Sequence, residues 1–184
     1  MPERGQPAPP RPTSTADRLE EAYRESGSAV LGYALRRCSS REDALDVVAE
    51  TFAAAWRRQA DLPADQADIR PWLFGIARLC LANTARTARR SDRLGRRLAE
   101  AFTHDVVPDP SDGHAGGTRV VQALAELSPD DRELVTLIAW EGLTPTEAAG
   151  VLGLPPGTAR VRLHRARTRL RTVLSSPTTT ESDS

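Results

Sequence analysis

The sequence predicts an all-α protein of two small helical domains joined by a flexible linker. Three observations carry this. Apolar residues recur at three- and four-residue steps through most of the chain, and no alternating strand pattern occurs. Alanine, leucine and arginine dominate, all good helix formers, while aromatics make up only 4% of the 184 residues. Large β-sandwiches and barrels usually use more aromatics than that. Finally, "THDVVPDPSDGHAGGT", Thr103 to Thr118, is rich in Pro, Gly and Asp and has no apolar period, so it reads as a linker. The expected organisation is a polar tail over 1–15, an N-terminal unit over 16–102, the linker over 103–118, a C-terminal unit over 119–174 and a second tail over 175–184.

The first helix is marked by Leu19, Ala22, Tyr23, Val30, Leu31, Ala34 and Leu35, with Gly27 expected to interrupt or bend it. Ser39 with Glu42 has the spacing of a capping box that opens the next helix. On that helix Leu45, Val48, Phe52 and Trp56 make one apolar stripe, and Asp46 and Glu50, four apart, share another face. A polar loop follows. "IRPWLFGIARLCLAN", Ile69 to Asn83, is apolar almost all round and is expected to be deeply buried. It continues into a basic end carrying Arg86, Arg89, Arg90, Arg93, Arg96 and Arg97 against one acid, Asp92. Alone, such a cluster is more often a solvated face than a binding site.

In the C-terminal unit Ser128-Pro129 with Asp131 is a helix start, and Leu134, Val135, Leu137 and Ile138 supply the apolar face of that helix. Thr144-Pro145-Thr146-Glu147 is a second start, a capping box with proline inside it, and Gly153 ends that helix. Pro155-Pro156 opens a third. A short helix over Pro145–Leu152, a glycine turn and a helix over Pro156–Leu170 are the parts of a helix-turn-helix. On the last helix Ala159, Leu163, Ala166 and Leu170 face the core by their spacing. Thr158, Arg160, Val161, His164 and Arg165 point outwards near its start, where a recognition helix meets base edges in the major groove. Arg162, Arg167 and Arg169 flank them as phosphate contacts.

The chain holds 25 basic and 25 acidic residues, yet the last helix has no acid. Local positive charge fits DNA, whose phosphates are neutralised where they are touched. All the basic residues are arginine, which a GC-rich genome explains at least as well as function does. Cys38 and Cys80 lie apart in apolar patterns with neither CxxC nor zinc spacing, as expected of reduced, buried thiols in a cytoplasmic protein. The N-terminus has no signal-peptide core, and no apolar run approaches the roughly 20 residues of a membrane helix. No nucleophile motif, phosphate loop or dinucleotide turn occurs, so neither enzyme chemistry nor a cofactor is expected. His104, Asp105, Asp109, Asp112 and His114 lack helical metal spacing and read as solvated linker.

"REDALDVVAETFAAAWRR", "IRPWLFGIARLCLAN" and "ALAELSPDDRELVTLIAWEGLTPTEAAGVLGLPPGTARVRLHRARTRL" together resemble, in order, regions 2 and 4 of extracytoplasmic-function (ECF) sigma factors, the small alternative sigma subunits of bacterial RNA polymerase. The resemblance spans roughly 16–174. It implies that Asp46, Glu50 and Thr51, matching the family's "DVVxETF" helix, dock on the β′ clamp helices, an acidic face meeting a basic one. Ala49 stands where the family often has glutamine. The resemblance further implies that the loop Leu62–Asp68, with Asp65, catches an unstacked base of the −10 element, that Asn83 and Arg86, with Arg89 and Arg90, meet the displaced strand, and that Trp72 stacks on bases, with core packing as the equal alternative. Phe74 is better explained as core. The family usually has Asn-Leu where this chain has Leu79-Cys80. The helix-turn-helix would read the −35 element and hold the polymerase β flap, although core packing is the safer reading for Leu134, Leu137 and Ile138. Family members are often held by an anti-sigma factor, which makes one a further candidate partner beside core polymerase and promoter DNA.

The competing reading is a helix-turn-helix repressor or activator that works without polymerase. It accounts for the C-terminal half and leaves the acidic "DVVAETF" face and the second basic cluster unexplained.

Overall fold

Seven helices form the described chain: α1 (Thr15–Leu35), α2 (Arg41–Arg57), α3 (Gln66–Ala99), α4 (Ala115–Ala125), α5 (Pro129–Ala139), α6 (Pro145–Leu152) and α7 (Pro156–Ser175), with a 3-10 turn at Gln59–Asp61. No strand occurs among the described residues. The structure, a computed structural model, describes residues 14–99 and 115–175, and the side chains of 14–86 and 119–175. The chain divides into two compact units, Met1–Leu81 and Ala82–Ser184, and each is described by itself.

In the first unit α1 starts on a reciprocal cap. The Asp17 N–H donates to Ser14 Oγ at 3.1 Å, and the Ser14 N–H donates to Asp17 Oδ2 at 3.0 Å. The polar tail expected through 15 therefore gives way to helix at Thr15. The helix runs through Gly27 without the interruption expected there. A helical glycine costs about 1 kcal/mol relative to alanine, which packing on the flanking turns readily offsets. The cap of α2 lies one residue later than expected. Ser40, in extended conformation, accepts from the Asp43 N–H at 3.0 Å, while the Ser39 hydroxyl donates to the Asp43 carboxylate at 3.1 Å.

The buried stripe of α2 also differs from the expected one. Ala44, Val47, Thr51 and Ala55 are buried, whereas Leu45 is 47% and Trp56 53% exposed. The cause lies across the interface. Leu19, Ala22 and Ala34 of α1 and Ile69, Leu73 and Ile76 of α3 form one core with Ala44, Val47 and Ala55, so two packed neighbours, not side-chain bulk, select the face of α2 that is buried. The bulkier stripe then flanks the seam, where Tyr23 meets Phe52 edge-on at 4.8 Å. Helix α3 closes this core with Ile69, Leu73, Ile76 and Cys80. Phe74 is fully buried and packs edge-on against Tyr33 at 5.3 Å, so it is core, as expected.

In the second unit α4 begins at Ala115, so 115–118 are helical where the composition predicts linker. Its last carbonyls are closed by Arg132, whose Nε donates to Leu124 O at 2.8 Å and whose Nη2 donates to Ala125 O at 3.0 Å. Helix α5 is capped by Ser128, whose Oγ accepts from the Asp131 N–H at 3.2 Å. Leu134 and Leu137 are fully buried, each side chain contributing about 2 kcal/mol by its burial. Helix α6 carries the expected capping box, Thr144 with Glu147, and ends at Gly153 with φ +66°. That left-handed value suits glycine, and it lets the Leu154 N–H turn back to Ala149 O at 2.8 Å. Among the described residues, no helix is long and apolar enough to cross a membrane.

The tails at 1–13 and 176–184, and linker residues 103–114 with His104, Asp105, Asp109, Asp112 and His114, lie outside the described residues. Cys80 is buried and Cys38 half-buried, and burial pushes both thiols above the ordinary range.

Candidate nucleic-acid interface

The turn between α6 and α7 aims the recognition helix. Gly153 reverses the chain, and α7 begins at Pro156, whose ring fixes φ at a helical value. Ala159, Leu163 and Ala166 are buried, and Leu170 is half-buried, as their spacing requires. Thr158, Arg160, Val161, His164, Arg165 and Arg167 are all exposed, with Val161 at 51%. At about 100° per residue Thr158, Val161, His164 and Arg165 lie farthest from the buried stripe, and Arg160 and Arg167, about one turn either side of Leu163, flank it on the side away from Arg162.

Arg162 stands apart from them. It stands one turn before Ala166, so it lies beside the buried stripe. Its Nε donates to Asp131 Oδ1 at 2.6 Å, its Nη2 lies 3.5 Å from Asp130 Oδ2, and its side chain is 25% exposed. Arg162 thus fastens α7 to the first turn of α5, and a phosphate would have to compete with both aspartates for its guanidinium. Burial alone would raise the Asp131 carboxyl. Hydrogen bonds from Ser128 and Arg162, with the charges of Arg162 and Arg165, outweigh it and hold Asp131 below the usual carboxylate range. Arg169, also expected at phosphates, pairs with Glu126 at 3.1 Å with both side chains more than half exposed.

A depressed aspartate contributes stability above its unfolded pKa and loses it as pH falls through the folded value. Asp131→Asn is accordingly expected to lower stability of the second unit by about 1 kcal/mol at neutral pH, a figure discounted for partial exposure. It should also flatten the acid limb below about pH 4. Amide hydrogen exchange in α5 and α7 of the full chain, followed against pH, measures both effects.

On α2, Asp46 and Glu50 are exposed and point away from the Ala44/Val47/Thr51/Ala55 stripe. Glu50 Oε1 accepts from Arg57 Nη2 at 2.6 Å, two turns along the same face, so a partner must compete for this carboxylate. Thr51 is fully buried and its Oγ1 donates to Val47 O at 2.6 Å. The expected contact by Thr51 is therefore corrected: it supports the seam with α1 and α3 beneath the acidic face and cannot touch a partner.

The expected loop Leu62–Asp68 is shorter than its sequence suggests, because α3 begins at Gln66. Asp65 Oδ1 accepts from the Ala67 N–H at 3.0 Å, which fixes the exposed carboxylate at the head of α3. Trp72 is half-buried against the core, while Asn83 and Arg86 are exposed and joined by a hydrogen bond from the Arg86 guanidinium to Asn83 Oδ1. At helical spacing Trp72, Leu79, Asn83 and Arg86 share one side of α3. Leu79, read as part of a buried helix, stands 54% exposed on that side. Arg89 and Arg90 continue α3, and their side chains, like those of Arg93, Arg96 and Arg97, lie outside the described residues. Sequence reasoning missed Arg18, whose Nη2 donates to Pro63 O at 2.6 Å and Ala64 O at 3.0 Å, across 45 and 46 residues of chain. No local pattern announces such a bond.

A separate apolar groove on the second unit is lined by Val120, Leu124, Val135, Trp140, Leu170 and Leu174 among others. Leu134 and Leu137 do not line it; both are fully buried, as core.

Residues 22–93 match the family described as Sigma-70 region 2, and residues 118–170 the one described as Sigma-70, region 4. Over 156 residues the chain is 30% identical to the ECF RNA polymerase sigma factor SigL of Mycobacterium tuberculosis, covering 85% of this chain and 88% of SigL. It is 30% identical over 158 residues to RNA polymerase sigma factor CarQ of Myxococcus xanthus, covering 86% and 90%. Among solved structures, the sigma factor RpoE of Bartonella quintana, in complex with the anti-sigma factor NepR, superposes with a TM-score of 0.59 at 27% identity. That match covers 85% of this chain and 96% of RpoE.

Proposed function

Because the chain belongs to the ECF sigma factors, alternative sigma factors that direct transcription initiation with RNA polymerase, we propose that its two units divide the promoter between them. The C-terminal unit, 119–174, reads the −35 element with Thr158, Arg160, Val161, His164 and Arg165 in the major groove, and Arg167 meets the backbone beside them. The N-terminal unit, 16–102, takes an unstacked −10 base at the loop before α3, and Trp72, Asn83, Arg86, Arg89 and Arg90 line the strand path. The linker expected from 103, which ends where α4 begins at Ala115, spans the distance between the two elements. Asp46 and Glu50 dock on the β′ clamp helices, and the apolar groove around Val135, Trp140 and Leu174 takes the β flap.

The observation that carries this reading is the sorting of charge on α7. Its ion pairs among the described residues, through Arg162 and Arg169, involve residues beside its buried stripe. Its outward face is basic and exposed. An anti-sigma factor is a further partner by likeness to RpoE, which was solved with NepR. The protein works in the cytoplasm, where core polymerase is, and has neither enzyme chemistry nor a cofactor.

Photocrosslinking tests the division. A benzoylphenylalanine replacing Val161 should mark DNA at −35 in the holoenzyme, and one replacing Trp72 should mark the −10 strand. Adducts from both positions in one element, or equal adducts without core polymerase, would overturn it and favour the repressor reading.

A further inference from the structure

We propose that Arg18 is a positioning residue for −10 recognition, its guanidinium holding loop 62–65 in the shape that receives the base. The inference rests on the reading of that loop as the base-capturing element. The loop has little to hold itself. Pro63 has no N–H to give, and no regular ladder runs through 62–65. Its ends are fixed: Leu62 packs on the core, and Asp65 binds the Ala67 N–H at the head of α3. Between these ends the successive carbonyls of Pro63 and Ala64 both turn to one donor, Arg18 Nη2, at 2.6 and 3.0 Å.

Arg18 is itself held firmly. It is half-buried, its backbone N–H donates to Ser14 O at 3.1 Å, and the Ser14–Asp17 capping box sets the turn it stands on. A charged donor bridging two carbonyls is stronger than a neutral one and fixes direction as well as distance. Leu19 and Ala22 keep α1 in the core without it. Loss of the guanidinium should therefore loosen the loop and leave the fold standing. The first turn of α1 then serves promoter reading from 45 residues away.

The test uses the full chain assembled with core polymerase, transcribing a promoter library randomised at −35 and −10. Arg18→Ala is expected to lower transcription from the preferred −10 sequences roughly tenfold and to flatten −10 preference, since a small misplacement of a recognition group carries such losses. Preference at −35, affinity for core and the unfolding midpoint should stay unchanged. Arg18→Lys, which keeps the cation but shortens its reach and loses the planar guanidinium, should fall between, and it supplies the same readout if Arg18→Ala does not fold. Asp65→Asn, which keeps the acceptor for Ala67, reports on the loop reading separately. A −10 shift with Asp65→Asn and none with either Arg18 variant overturns the positioning role alone. No shift with any of them overturns the loop reading and the positioning role together. Equal loss at both elements, with weaker core binding and a lower midpoint, makes Arg18 merely structural and overturns the proposal.

Discussion

Reversing both acids of α2, Asp46→Arg with Glu50→Arg, is expected to weaken binding to core RNA polymerase by about 100-fold or more, because like charges set against each other at an interface cost several kcal/mol. Both side chains are exposed and point away from the buried stripe, so the helix and its seam with α1 should survive. Glu50 adds a detail that charge counting omits. It already accepts from Arg57 at 2.6 Å, with side chains 57% and 61% exposed, and such surface pairs contribute about 0–1 kcal/mol. A basic partner side chain can displace Arg57 at little cost, and the Glu50→Arg change sets two cations on one face. The measurement is equilibrium binding of the full chain to core polymerase at two salt concentrations, with folding monitored by circular dichroism. Wild-type binding should also weaken as salt rises. Unchanged affinity in a folded double variant would make the acidic face ordinary solvated surface and return the docking role to other parts of the unit.

What could be read from the sequence was what is local. The caps at Ser128 and Thr144, the stop at Gly153 and the core stripe of α7 depend on neighbours within about one turn, and each stands as its residues imply. The family resemblance likewise ran along the chain. Errors arose where a distant partner decides. On α2 the bulkiest residues looked like the core stripe, yet packing against α1 and α3 buries Ala44, Val47, Thr51 and Ala55. Thr51 thereby passes from surface to seam. At Ala115 the glycines that suggest linker are absorbed into α4. Gly27 is likewise carried inside α1. Arg162 and Arg18 look like any other arginine; only the positions of Asp131 and of Pro63 and Ala64 separate them from the exposed ones.

The same distinction sets the second large effect. Arg160→Ala and Arg165→Ala are each expected to cost about 1–3 kcal/mol of −35 binding if they meet base edges, and to relax specificity at their own positions only. Arg167→Ala, placed later on α7 where the backbone passes, should weaken all sequences alike and reduce the salt slope by about 1. Arg162→Ala is the internal contrast. Its guanidinium is engaged with Asp131 at 2.6 Å, so its loss should show first as loosened α5–α7 packing. The base preferences at −35 should then keep their pattern at reduced strength. The exposed arginines owe their availability to this arrangement, because Asp130, Asp131 and Glu126 engage residues beside the buried stripe of α7 and leave its outward face basic. A neutral chain can thus present a strongly positive helix to DNA. Holoenzyme binding to a library randomised at −35, at three salt concentrations, separates these classes. Altered base preference with Arg162→Ala, or none with Arg160→Ala and Arg165→Ala, would reverse the assignment and put the reading face on the other side of the helix.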